Sequence, residues 1–354
     1  MAGNSFGKIF RITTFGESHG EGVGVIVDGC PSRISLLPED FEKDMARRRP
    51  GGYHLGTPRK EEDQVEILSG VFEGHTTGAP IALFIRNRDV QSRPYEVLRS
   101  LFRPGHADYT YFKKYGHFDF RGGGRSSARE TAARVAAGVV AEKVLEPSGI
   151  EVTAYTLELG GVRAKEFDFD AIDKNPCYCP DPVAAKQMEE ALSSAKESGD
   201  SLGGVIEVRV KGCPPGLGEP VFDKLDGDLA KAVMSVGAVK GVEIGAGFEA
   251  ARLKGSENND PITPDGFGTN RAGGILGGIS NGDEILIKAA VKPVPSIGQE
   301  QDTVDRQGRP AKLRLDGRYD ISAVPRVVPV LEAMVRIVLT DHYLRSKIAP
   351  PVNP

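Results

Sequence analysis

Two histidines stand in tight, glycine-flanked segments: His19 in Gly16-Glu17-Ser18-His19-Gly20, and His106 in Arg103-Pro104-Gly105-His106-Ala107-Asp108. An imidazole in an exposed turn can move protons near neutral pH, although a purely structural turn histidine fits either pattern as well. Glu17 and Ser18 beside His19 suggest a hydrolase, yet the G-x-S-x-G elbow turns from strand to helix, and here strand-like sequence lies on both sides. Arg103 lies close to His106, and a phosphate bound nearby would raise the imidazole pKa.

Anion chemistry has three further candidates. Arg47, Arg48 and Arg49 end a short helix. Guanidiniums donate in parallel pairs to phosphate and carboxylate, but three in a row point different ways around a helix, so at most one or two converge on one anion. The run Arg121-Gly122-Gly123-Gly124-Arg125-Ser126-Ser127-Ala128-Arg129-Glu130 surrounds a helix start with arginines, hydroxyls and backbone N–H groups, a ready anion site. It is neither a Walker A loop nor G-x-G-x-x-G. In the C-terminal half, a glycine-rich apolar run at 273–280, the segment Lys292-Pro293-Val294-Pro295-Ser296 and Asp316-Gly317-Arg318-Tyr319-Asp320 could face a flat anionic ligand. There Lys292, Ser296 and Arg318 are anion contacts and Asp320 a candidate base; close packing explains the glycines equally well.

The elements that must hold these residues are short and mixed in order. The pattern predicts strands at 9–14, 23–27, 65–68, 81–85, 204–210, 242–244 and 284–290. It predicts helices at 38–48, 127–145, 181–198, 223–236 and 326–345, the second opened by a Ser127/Glu130 capping box and the third by Asp181 and Pro182. Without a steady βα repeat, a doubly wound parallel sheet is not supported. The expected class is α+β, a β-α-β sandwich, in one large domain over 1–354 with a flexible tail at 346–354.

Composition excludes other classes. The 354 residues carry 45 Lys+Arg against 49 Asp+Glu, with 44 Gly and 24 Pro in short clusters rather than a repeat. No apolar stretch approaches the ~18 residues of a membrane span, and the N-terminus lacks the layout of a secretory signal. Four cysteines, Cys30, Cys177, Cys179 and Cys213, form neither a disulfide framework nor a zinc site, so no metal is expected. The expected compartment is the cytoplasm. The net charge of −4 hides a local excess of base at 86–134 and of acid at 158–228. A basic region inside an acidic chain suits a small anionic ligand better than nucleic acid.

Taken together, the motifs resemble those of the chorismate synthase family over essentially the whole chain. The resemblance rests on F-G-E-S-H-G (15–20), R-R-R-P-G (47–51), F-R-P-G-H-A-D-Y-T-Y (102–111), R-G-G-G-R-S-S-A-R-E-T (121–131), G-L-G-E-P-V-F-D (216–223), K-G-V-E-I-G (240–245) and G-G-I-L-G-G-I-S (273–280). It implies a lyase that eliminates phosphate and a C6 hydrogen from 5-enolpyruvylshikimate 3-phosphate, giving chorismate, in the shikimate pathway to aromatic amino acids. It implies reduced FMN as a cofactor not consumed overall; members of the family differ in whether they reduce their own flavin with NADPH, and the absence of a G-x-G-x-x-G segment favours NADPH as an indirect reductant through an external flavin reductase. It also implies antiparallel sheets enclosing helices, and a homotetramer.

Carried onto matching positions, the resemblance assigns His106 to protonating or stabilising the reduced flavin, His19 to protonating the departing phosphate and Asp320 to taking a proton near flavin N5. Arg125, Ser126, Ser127, Gly237, Ala238, Gly277, Lys292, Pro293, Val294, Pro295, Ser296 and Arg318 would contact FMN. Arg48, Arg103 and Arg129 would hold the substrate; Arg48 and His54 also match NADP positions. The chain departs from the family pattern at His54, where a second Arg is usual, at Gly237, where Asn is common, and at Tyr319 and Ile321.

Overall fold

Alternating valines build the first sheet. In Gly22–Asp28 the side chains of Val23, Val25 and Val27 are fully buried, every second residue of a pleated strand. The computed structural model describes residues 3–50, 56, 59, 61–315 and 319–348. In it β1 (Ser5–Phe6), β2 (Arg11–Gly16), β3 (Gly22–Asp28), β4 (Val65–Ser69) and β5 (Ile81–Arg86) pair antiparallel in the order β1-β2-β3-β5-β4.

A second antiparallel sheet contains β6 (Glu151–Leu159), β7 (Val162–Arg163), β8 (Gly204–Lys211), β9 (Val239–Ile244) and β10 (Ile285–Val291), in the order β9-β10-β8-β6-β7. Between the sheets lie α3 (Thr131–Leu145) and α6 (Val324–Ser346); α3 packs on the first sheet, α6 on the second, and each on the other. Around them stand α1 (Glu42–Arg48), α2 (Asp108–Tyr115), α4 (Pro182–Glu197) and α5 (Leu225–Met234). One apolar cluster takes residues from both sheets and from both central helices. The expected α+β sandwich is the fold observed.

The central helices are apolar nearly all round, as burial between two sheets requires. Where they cross, Gly138 of α3 allows the close approach: a Cβ there would come within 2.3 Å of the Ala333 methyl and 2.6 Å of its Cα. Among the described residues, no helix is long and apolar enough to cross a membrane.

Two predicted helix starts shift. The chain over Pro38–Phe41 is a 3-10 turn ahead of α1, and Ala128–Glu130 is another ahead of α3. The Ser127/Glu130 box forms only by half. Ser127 Oγ accepts from Arg129 N at 3.3 Å, but the Glu130 carboxylate turns away to Arg134, 2.8 Å distant. Asp181 caps α4 as expected, accepting from Val183 N and Ala184 N. Helix α2 and strand β6 were not expected from sequence.

Candidate active site

The loop Gly122–Gly124 is the hinge of the site. All three glycines have positive φ, at 57°, 82° and 54°, a left-handed path that costs other residues energy. A Cβ on Gly122 would lie 2.5 Å from Cδ2 and Nε2 of His19. One on Gly123 would lie 3.3 Å from Cε1 of His106. Two adjacent residues thus face the two histidines that the sequence placed 87 positions apart, and the same loop leads into α3.

His19 sits in the turn between β2 and β3. Its Nδ1 is 2.9 Å from Ser92 Oγ, and Tyr95 meets the ring edge-on at 5.2 Å. Ser18 N donates to Gly124 O at 3.2 Å, pinning the turn to the glycine loop. Arg59 reaches Ser18 Oγ at 3.3 Å while held by Glu61. His106 has a different setting. Its Nδ1 is 2.8 Å from Asp108 Oδ1, and Arg103 grips the same carboxylate with Nε and Nη2, at 2.7 and 2.8 Å. Arg103 Nη2 also approaches the same Nδ1, at 3.0 Å, so both partners hold that edge of the ring and leave Nε2 towards Gly123.

A phosphate bound nearby would raise the His106 pKa; the protein's own groups push it down. Burial is the main cause, and Arg103 and Lys292 add to it, against the opposing pull of Asp108. Asp108 is held well below the usual carboxylate range: burial alone would raise it, but the bonds from Arg103 and His106 outweigh that.

The segment 292–296 closes on this group. Lys292 Nζ donates to Gly105 O, a Cβ on Gly105 would lie 3.3 Å from Pro295 Cβ, and the buried Ser296 Oγ is 3.4 Å from Arg103 Nη1. Ala238 is brought alongside, its carbonyl accepting from Lys292 N at 2.9 Å, with Gly237 next in the chain. Val294 O accepts from Ser201 Oγ, and Pro293 packs near Gly203. Gly277 belongs elsewhere, in the tight turn between Ile275–Leu276 and Ile279–Ser280 near Lys224.

Arg48 and Arg129 meet on one carboxylate, apart from Arg103. Arg48 Nη1 donates to Asp63 Oδ2 at 3.2 Å and Arg129 Nη1 to Asp63 Oδ1. Arg48 further donates from Nε to Thr131 Oγ1 at 3.2 Å and from Nη2 to Ala128 O at 2.5 Å. Arg129 reaches Asn87 Oδ1 at 2.7 Å and Arg86 O at 3.0 Å. Arg326, in the first turn of α6, binds Asp320 Oδ2 at 2.5 Å and touches Arg48 O at 3.4 Å. Positive charge is in surplus here. Burial, Arg326 and Arg129 pull Arg48 down to about 9, and Asp63 only partly offsets them. Asp63 itself is held below its ordinary value, because Arg48 and Arg129 overcome the effect of burial.

Arg125 donates from Nη2 to Thr14 O at 2.9 Å and to Thr14 Oγ1. Its buried Nη1 has no hydrogen-bond partner among the described residues; Glu130 Oε2 is 3.9 Å away. Ser126 Oγ donates to Gly123 O at 2.7 Å. His54 and Arg318 lie outside the described residues. No group of three or more His, Cys, Asp or Glu side chains among the described residues is placed to hold a metal ion.

Sequence reasoning assigned no role to Asp63, Asn87, Ser92, Asp108 or Arg326. Arg326 left a signal: a cation in the first turn of a buried helix opposes the helix dipole and must be there for another reason. Asp63, Asn87 and Ser92 left none, because their partners are distant in sequence.

A family model described as chorismate synthase matches residues 10–344. Among relatives, the chorismate synthase of Syntrophobacter fumaroxidans is 60% identical over 344 residues, covering 97% of this chain and 98% of its own. That of Methanosarcina mazei is 54% identical over 360 residues, covering 99% of each. A crystal structure of a chorismate synthase superposes with a TM-score of 0.77 at 35% identity, covering 96% of this chain and 93% of that one.

Proposed function

The chain belongs to the chorismate synthase family, and on that premise we propose which of its residues carry the reaction. It is a carbon–oxygen lyase that eliminates phosphate from 5-enolpyruvylshikimate 3-phosphate to give chorismate, a step of the shikimate pathway. The observation that carries the residue assignment is the pair of adjacent glycines, Gly122 and Gly123, facing both histidines at the entrance to an arginine-lined helix start.

The family has a general flavin requirement, and reduced FMN is our choice of cofactor. The residues fit it: Arg125 Nη1 is buried without a hydrogen-bond partner among the described residues, a costly state that a ligand oxygen would relieve, and it lies beside Ser126, Ser127 and the glycine loop. Arg125, Ser126, Ser127, Gly237, Ala238 and the 292–296 segment would hold FMN; Gly277, set apart in its own turn, and Arg318, outside the described residues, are assigned to it on the family resemblance alone. A reduced flavin supplies electron density to an allylic system from which phosphate is leaving, where the C–H bond is too weakly acidic for a protein base alone.

His19, steadied by Ser92 and Tyr95, gives its proton to the departing phosphate. His106, oriented by Asp108 and Arg103, presents Nε2 to the glycine loop, where it would protonate or stabilise the reduced flavin. Asp320, held by Arg326, is the proton acceptor. Arg48 and Arg129, with Arg326 behind them, stabilise the anionic substrate by surplus positive charge in a low-dielectric setting. Arg103 orders His106 through Asp108 and lies beside Ser296. We assign flavin reduction to an external reductase using NADPH, the assembly to a homotetramer and the compartment to the cytoplasm. Activity with NADPH in air, without added reductase, would contradict the first; a monomer by sedimentation would contradict the second.

The test is an anaerobic assay with photoreduced FMN and substrate. Phosphate and chorismate should appear in equal amounts while the reduced-flavin spectrum persists. One reduced flavin consumed per phosphate released would overturn the assignment and make the protein a flavin-dependent oxidoreductase.

A further inference from the structure

The two ends of the turn that carries His19 are clamped from outside by the side chain of Asn87. Asn87 follows β5, and its backbone N donates to Glu21 O at 3.0 Å, prolonging the sheet past the end of β3. Its side-chain Nδ2 donates to Glu17 O and to Gly20 O, both at 2.9 Å. Those carbonyls bracket Ser18 and His19. Its Oδ1 accepts from Arg129 Nε at 2.7 Å. Both amide hydrogens and the carbonyl are therefore engaged. The turn is also tied by Gly20 N to Glu17 O at 3.2 Å, by Ser18 N to the glycine loop, by Arg59 to Ser18 Oγ and O, and by Ser92 to the His19 ring.

We propose that Asn87 is a positioning residue, fixing the His19 turn against the triglycine loop and coupling it to the Arg129–Asp63–Arg48 cluster. The consequence for turnover rests on the reading of His19 as proton donor; the structural claim does not. No other residue type reproduces the contacts at this length. Aspartate keeps the acceptor for Arg129 but sets a carboxylate against two carbonyl oxygens. Alanine removes all three bonds.

Three measurements on Asn87→Ala and Asn87→Asp, each checked for a native circular dichroism spectrum, decide the matter. In the first, NMR follows amide exchange of Ser18 and His19 and the ring resonances of His19 and His106 in the full chain. Exchange in the turn should accelerate and the His19 ring signals shift or broaden, with His106 unchanged. In the second, kcat should fall about 10–100-fold, the scale of a misplaced group, with KM within about twofold. In the third, the same substitutions in a His19→Ala background should change kcat by less than about threefold, because coupled residues are not additive.

Unaltered exchange and His19 signals overturn the proposal whatever the kinetics. So does an Asn87→Asp variant that turns over like the native chain while Asn87→Ala is impaired, since the Arg129 bond alone would then be at work. Equal kcat losses in both backgrounds overturn it too. Native turnover by His19→Ala itself would instead remove the acid role of His19 and leave the exchange measurement to decide the role of Asn87.

Discussion

Arg47 and Arg48 are neighbours in sequence and opposites in the fold. Arg47 faces carboxylates: Glu332 at 2.8 Å, Asp173 at 3.1 Å and Asp44 at 4.0 Å. Arg336 joins them through Asp44, Glu142 and Glu332. Burial alone would depress Arg47, but Glu332 and Asp173 raise it above its ordinary value. Arg48 shares its one carboxylate with Arg129, has Arg326 beside it and is pulled down to about 9. Acid is in surplus around the first and base around the second. In the first arrangement carboxylates outnumber guanidiniums, and it joins α1 to α6. The second lacks negative charge, which is what a substrate bearing phosphate and carboxylates brings.

The comparison is sharpest on the side of the histidines. His19→Ala and His106→Ala should each lower kcat by about 10²–10⁴-fold, about 3–5 kcal/mol in the barrier. FMN affinity, read by fluorescence quenching, should stay within a few-fold and the melting temperature within a few degrees. Native turnover in either variant would remove it from the machinery. Arg47→Met should do the reverse. Truncating one partner of a buried ionic network costs roughly 3–5 kcal/mol, measurable by urea unfolding, while kcat/KM of the folded protein stays within about threefold.

A smaller effect belongs to the core far from either arginine. Gly138→Ala forces α3 and α6 apart at Ala333 and should cost about 1–3 kcal/mol; an unchanged urea midpoint would mean that the helices cross less closely. The smallest effect is in pH. His106 and His342 are both held below the ordinary imidazole value, chiefly by burial. The unfolded chain therefore takes these protons first as pH falls below about 6.5, and folding stability falls with it, by at most ~1.4 kcal/mol per pH unit for each group. Replacing His342, which binds Asp228 at 3.0 Å, by Gln should flatten that slope without changing kcat.

Much of this arrangement was legible in the chain itself. The long periodic stretches gave α3, α4 and α6 within a few residues, because burial on several faces or a strong cap such as Asp181 writes itself into local pattern. Helix α2 and strand β6 escaped. The sequence of α2 is rich in Tyr, Phe and Lys, with Asp108 as its only buried residue, so it offers no apolar stripe; in Glu151–Leu159 the alternation breaks at the consecutively buried residues 154–157. At the site, the histidines, the glycine loop and Arg48 stood out by type. Their partners did not. Asp63 and Asn87 look like ordinary loop residues until the fold sets them against Arg48, Arg129 and the His19 turn. The fall in the His106 pKa was equally hidden, because it depends on burial and on Lys292 arriving from the far half of the chain.

The central claim is that the Arg48 neighbourhood is an anion site and the Arg47 neighbourhood a scaffold. Titration calorimetry of 5-enolpyruvylshikimate 3-phosphate into Arg48→Met and Arg47→Met, both verified as folded, tests it most directly. The Arg48 variant should bind at least about 100-fold more weakly, about 2.7 kcal/mol, and the Arg47 variant like the native protein. Equal losses in the two, or native affinity in the Arg48 variant, would contradict it.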